Sequence, residues 1–110
     1  TSIQASTHEH RGVTYVWEVV RNIEKTFVLP GGIYNFGSIN TLNSYDLHIQ
    51  AADLMGLQEP TRWIRPDEER FSDIDRNLSM DCSRIEENGI HFCNSVDGLK
   101  EALQRPYRTA

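Results

Sequence analysis

Reduction of a carbonyl is often run by a tyrosine acid with a lysine four residues further on. The ammonium charge lowers the phenol pKa and makes the proton easier to give. The tyrosines here are Tyr15, Tyr34, Tyr45 and Tyr107. Val19, Ser38 and Ile49 stand at that offset from the first three, and no residue does for Tyr107. The chain alone therefore cannot carry that mechanism. A dinucleotide pyrophosphate needs a glycine-rich turn leading from a strand into a helix, so that backbone amides can approach it. No GxGxxG or GxxGxxG occurs. Pro30-Gly31-Gly32 comes before an expected strand and reads as a turn. Gly37-Ser38 follows that strand, but the next helix is too far along for a phosphate cradle, so a plain loop is expected.

Metal and nucleophile chemistry is equally sparse. His8 and His10 would share one face of a strand. They lack a nearby third ligand, and the segment is read as a solvated loop before the first helix. His48 and His91 are isolated. Cys82 and Cys93 form neither a CxxC pair nor half a zinc ribbon, and free thiols in a reducing cytoplasm are expected. Asp67, Glu68 and Glu69 are a charge run, read as solvated surface. No catalytic residue, bound cofactor or metal ligand is expected in this chain.

The elements that would position these groups follow from periodicity. Residues 2–6 read as a strand, and Thr1 opens directly into it, as a piece excised from a larger protein would. Val13, Val16, Trp17, Val20, Ile23 and Phe27 recur at spacings of three and four, predicting an amphipathic helix over 13–27. That stripe, Trp17 included, is expected to face the core, with Glu18, Arg21, Asn22 and Lys25 opposite. Residues 33–36 read as a short strand. Ser44 is the expected cap of a helix to about Met55, burying Leu47, Ala51 and Leu54, closed by Gly56 and Leu57. Residues 61–65 read as a strand ended by Pro66, and 67–76 as an exposed loop. An extended piece follows at 77–80. Asp81 or Ser83 is expected to cap a brief helix ended by Asn88-Gly89, and Ser95 a last helix through Leu103. This order predicts an α/β fold with short strands, about four helices and parallel connections.

The bulk numbers set outer limits. At 110 residues there is room for one domain. A 38% hydrophobic and 25% charged composition is that of a globular domain. A net charge of -5, with no basic stripe, argues against nucleic-acid binding. No apolar run is long enough for a membrane span.

Several segments, in order, resemble the carboxyl-terminal part of extended short-chain dehydrogenases. Thr14-Tyr15-Val16-Trp17-Glu18-Val19-Val20 is similar to the family's Pro-Thr-Tyr-Val helix opening, with Val13 in place of the proline. Gly32-Ile33-Tyr34-Asn35-Phe36-Gly37-Ser38 resembles its Gly-Ile-Tyr-Asn-x-Gly-Ser strand, and Ser44-Tyr45-Asp46-Leu47 the helix start after it. The segment Arg76-Asn77-Leu78-Ser79-Met80-Asp81-Cys82-Ser83-Arg84-Ile85 resembles the Asn-Leu-Ser block of dTDP-4-dehydrorhamnose reductases, without its proline. The segment Ser95 to Leu103 resembles the closing helix.

The resemblance implies a partial Rossmann-type reductase: residues 1–104 would be its substrate-binding part and 105–110 a polar tail. It implies a cytoplasmic enzyme whose NADP or NAD is held by a preceding part, with a dTDP-linked 4-keto deoxysugar as the nucleotide sugar. Arg76 is the best substrate contact it implies, with Asn77 and Thr14 weaker ones, and Glu18 supports the helix without catalysing. An epimerase or dehydratase of the same superfamily shares this layout. A non-enzymatic interaction module reusing the fold is the third reading. Without its Rossmann half, the fold would expose an apolar side, so a homo-oligomer through that surface is expected.

Overall fold

The computed structural model describes residues 2–105, so the expected tail, with Tyr107, lies almost wholly outside the described residues. The elements run β1 (Ile3–Ser6), β2 (Glu9–His10), α1 (Val16–Ile23), a 3-10 helix (Glu24–Val28), α2 (Ser44–Leu54), α3 (Pro60–Trp63), β3 (Ile64–Asp67), β4 (Arg76–Asn77), α4 (Ser83–Glu87) and α5 (Ser95–Gln104). This is a small mixed α/β domain with short strands and five α-helices.

Both strand pairs are parallel, as expected. β1 lies against β3 with Ile3 opposite Ile64 and Ser6 opposite Asp67. β2 lies against β4, with Glu9 opposite Arg76 and His10 opposite Asn77. The segment expected as a solvated loop at His8-Glu9-His10 is thus partly a strand. The backbone bonds Thr7 N–H to Asp67 O and Arg76 N–H to His8 O extend the two ladders toward each other, and Leu78 N–H to His10 O continues the second at its far end. Helix α2 packs on both β1 and β3 and also touches α5. The apolar core is small: Ala5, Leu47, Ala52, Ile64, Cys82, Ile85 and Ile90. An equal number of polar residues is buried with it, namely Ser6, Glu18, Asn22, Ser38, Asn40, Ser44 and Ser95.

Helices α2 and α5 begin by the same device. Asn43 Oδ1 accepts from Asp46 N–H, and Asn94 Oδ1 accepts from Asp97 N–H. The caps are therefore the asparagines, one residue before the serines expected. Ser44 and Ser95 enter the first turn and spend their hydroxyls on tertiary contacts. Ser44 donates to Glu9 Oε1 at 3.0 Å. Ser95, fully buried, donates to Val13 O at 2.8 Å and accepts from Val13 N–H at 2.9 Å. The end of α2 follows expectation: Gly56 adopts φ 79°, and Leu57 N–H reaches back to Ala52 O. Of the expected α2 core, Leu47 is buried, Ala51 and Leu54 half-buried, and Ala52 is buried beside them. In α4 the cap position falls on Cys82, whose side chain makes no capping bond, while Asp81 accepts from Ser83 N–H.

Three expectations are corrected. Residues 33–36 form no strand; the Ile33 carbonyl accepts from the Arg84 side chain at 3.0 Å instead of from a neighbouring strand. The strand expected at 61–65 starts later. Pro60 sits at the first turn of α3, a position that suits proline, and Pro66 lies inside β3, on a strand with a single neighbour. The third correction concerns α1. It is shorter than expected, and its apolar stripe faces out: Trp17 is 54% and Val20 49% exposed, while Glu18 is 5% exposed. Helical periodicity identified the helix, and polar bonding from its other face decided its orientation.

Asn43→Ala and Asn94→Ala should each cost about 1 kcal/mol, the usual worth of an N-cap. Urea denaturation of the two variants measures this. A cost near zero at both would return the capping role to the serines.

Candidate functional site

The junction between the two ladders gathers charge. Glu9 is its hub. One carboxylate oxygen accepts from Ser44 Oγ, while the other lies 3.8 Å from Arg76 Nε and 3.9 Å from an Arg11 guanidinium nitrogen. Arg76 also stands over the Phe71 ring at 5.2 Å, and Arg70 does the same at 5.2 Å. Phe71 holds a left-handed backbone, φ 63°, which a side chain adopts only under local constraint. A pocket of about 230 Å³ opens beside this cluster, lined among others by Ser6, Glu9, Arg11, Ser44, Asp67 and Arg70. Asp67 is partly spent internally, accepting from the backbone N–H groups of Glu69 and Arg70. Arg11 and Arg70 line this opening; Arg76 does not, but it pairs with Glu9 from the lining and shares the Phe71 ring with Arg70, so three guanidinium groups gather near one acidic side chain, a donor set suited to an anion.

The implied substrate residues divide. Arg76 belongs to this cluster and its side chain remains 44% exposed. Asn77 follows it on β4, but its Oδ1 accepts from Ser79 N–H and shapes the turn. Thr14 is elsewhere: its Oγ1 accepts from Ser38 N–H at 2.9 Å, and it does not line the pocket. Gly37 is glycine because a Cβ there would lie 2.6 Å from Met80 Cε and 2.9 Å from Thr14 Oγ1. Two buried polar atoms beside these residues have no partner among the described residues: His10 Nδ1, across from Asn77, and Ser38 Oγ, next to Thr14.

Glu9, Arg11 and Arg70 carry no signal of their own in the sequence. Reading 8–11 as extended would have put Glu9 and Arg11 on one face.

A second cluster lies under α1. Glu18 Oε2 accepts from Cys93 N–H at 3.1 Å, and Glu18 Oε1 from the Cys93 thiol. Glu101 is held by a two-pronged bond from Arg21, at 2.9 and 3.3 Å. That bond holds the Glu101 carboxyl below the usual carboxylate range. Glu18, Cys93 and Glu101 each bring one ligand-type atom within 4.8 Å of the others. These atoms are already committed, to each other or to Arg21, so a cation would have to displace existing bonds. Burial first, and then the Glu18 carboxylate, push the Cys93 thiol up from 9.0 to about 12. A thiol so placed is a structural donor, not a nucleophile.

Comparison with family models, with curated proteins and with solved structures gives no significant match.

The Cys93 shift has two consequences. At pH 8 a disulfide reagent should label Cys93 on the order of tens of times more slowly than an unperturbed thiol, the lower thiolate fraction being partly offset by the greater nucleophilicity of a high-pKa thiolate. Because the folded-state value is raised, its linked stability is present below about 9 and is lost as pH rises toward about 12. Peptide mapping after timed labelling reports the rate. Labelling of Cys93 as fast as a free thiol in the native protein would contradict the Glu18 contact.

Proposed function

We propose that this chain forms the substrate-side wall of an NAD(P)-dependent nucleotide-sugar oxidoreductase, of the dTDP-4-dehydrorhamnose reductase type. In this reading NADP or NAD and the hydride-transfer residues belong to another part of the enzyme, and the enzyme is cytoplasmic. Among the described residues, no helix is long and apolar enough to cross a membrane.

One observation carries the reading. The segments that resemble the family, far apart in sequence, bond to one another through their motif residues. Thr14 holds Ser38 N–H, Cys82 Sγ donates to Gly37 O, and Asn35 Nδ2 donates to Asp81 O at 2.9 Å. Ser95 also donates to Val13 O, whereas the Val13 N–H bond to Ser95 is this chain's own, since Val13 stands where the family has a proline. In this arrangement Thr14 and Asn77 shape the wall. Arg76, with Arg11 and Arg70, supplies the cationic donors for a diphosphate. Glu9 orients them and keeps their charge from being fully free.

Thermal shift and calorimetric titration with dTDP, UDP, GDP and their sugar conjugates test this. Binding of dTDP compounds above UDP and GDP is expected, with Arg76→Ala weakening it about tenfold or more, the worth of a charge-assisted bond. A preference for UDP-sugars would favour an epimerase or dehydratase instead. No response to any nucleotide at millimolar concentration would overturn the proposal, as would NAD(P)H-dependent turnover by this chain alone.

A further inference from the structure

The opening beside Glu9 holds an unspent acceptor as well as guanidinium donors. Glu9 uses Oε1 for the Ser44 hydroxyl at 3.0 Å. Its Oε2 lies 3.8 Å from Arg76 Nε and 3.9 Å from Arg11 Nη2. Those separations make ion pairs but lie beyond the hydrogen-bond range of ~2.7–3.2 Å. Among the described residues, Oε2 therefore accepts no hydrogen bond although it stands beside two cations. The Arg21–Glu101 pair is the contrast: there both carboxylate oxygens take a guanidinium N–H, at 2.9 and 3.3 Å. The Glu9 side chain is 18% exposed, so little of it meets water. The other carboxylate of the lining, Asp67, turns one oxygen back to its own loop through the N–H groups of Glu69 and Arg70. An anion that enters to meet Arg11 and Arg70 arrives next to Glu9. Two anionic oxygens side by side repel unless a proton lies between them.

We propose that Glu9 sets the specificity of this opening: it admits phosphate compounds that carry a hydrogen-bond donor beside the charge, and it disfavours bare anions. In inorganic phosphate or a monoester the donor is the phosphate's own proton. In a nucleotide sugar, whose phosphates carry no proton at neutral pH, it is a neighbouring sugar hydroxyl. In both cases an O–H donates to Glu9 Oε2 while the charged oxygens accept from Arg11 and Arg70. A ligand without that donor leaves Oε2 facing another lone pair. It loses one charge-assisted bond and meets repulsion in its place. At about 230 Å³ the opening is smaller than the ~300–1,000 Å³ of sites for drug-sized ligands, which suits one charged group and its immediate neighbours. The selectivity of Glu9 rests on the same anion site as the nucleotide-sugar reading, but not on the nucleotide.

Phosphate and sulfate are the probes. At about pH 8 they share a shape and a double negative charge, and only phosphate keeps a proton. Amide chemical-shift titration of the whole chain at constant ionic strength reads even weak binding of both. Phosphate should bind at least about tenfold more tightly than sulfate. Glu9→Gln keeps an acceptor for Ser44 and puts an N–H donor where Oε2 stood, so sulfate should gain about tenfold and the preference should vanish. Arg11→Ala should weaken both anions to a similar extent and leave their ratio unchanged. A glucose sulfate binding above methyl sulfate would assign the donor to a sugar hydroxyl, and equal binding of the two would assign it to the phosphate proton; either supports Glu9 as the acceptor when phosphate exceeds sulfate. Equal binding of phosphate and sulfate by the wild-type chain would overturn the proposal, as would a preference that survives Glu9→Gln, or no binding of either anion. The wild-type ratio decides the matter should Glu9→Gln fail to fold. Selective phosphate binding with no nucleotide binding would remove the nucleotide-sugar reading and keep the role of Glu9. Nucleotide binding with no preference between phosphate and sulfate would do the reverse.

Discussion

The bonds that Glu18 and Asn22 make beneath α1 decide much of what the molecule presents to its surroundings. A carboxylate that is 5% exposed must be satisfied, and the Cys93 N–H and thiol do so. Asn22 Nδ2 donates to His91 O at 3.2 Å and to the Glu18 carbonyl one turn back at 3.0 Å. Ser95 then clasps Val13 just before the helix begins. These contacts tie α1 to the segment 91–95 through polar groups. With that face committed, the apolar stripe has nowhere to go but outward.

The same economy recurs at the ladder junction. Buried polar side chains join elements that a larger core would join by packing. Ser44 ties α2 to β2, Thr14 ties the approach to α1 to the loop at Ser38, and Asn40 Nδ2 reaches Arg11 O and Leu42 O. The thinnest dimension of the chain is only 18 Å, too thin for helices to cover both faces of the strands. Directional bonds give such a thin body a defined arrangement, but each depends on its partner staying in place. The arginines around Glu9 are the exposed end of this network, and this is where an anionic ligand would find donors already oriented.

Much of the fold was legible in the sequence. Helix α2 and its Gly56 closure, the parallel connections and the closing helix all followed from periodicity and turn chemistry. The caps were misplaced by one residue because asparagine and serine stand side by side at both starts, and both are good caps. The decision came from distant partners, Glu9 for Ser44 and Val13 for Ser95, which local reasoning cannot see. The face of α1 was inverted for a similar reason. A hydrophobic stripe predicts burial only if nothing stronger holds the opposite face, and Cys93 and His91 lie some seventy residues away. Of the site, Arg76 stood out by its type and motif. Glu9, Arg11 and Arg70 acquired meaning only once β2 paired with β4 and the Phe71 ring met two guanidinium groups.

The orientation of α1 is the claim on which the rest turns, and unfolding free energies of two variants test it directly. Val20→Ser should change stability by no more than about 0.5 kcal/mol, as for an exposed position. Asn22→Ala should cost about 1 kcal/mol or more, because it removes the bonds that this buried amide donates to His91 O and Glu18 O. The reverse order, with Val20→Ser the costly change and Asn22→Ala nearly neutral, would mean that the apolar stripe faces the core and would contradict the account.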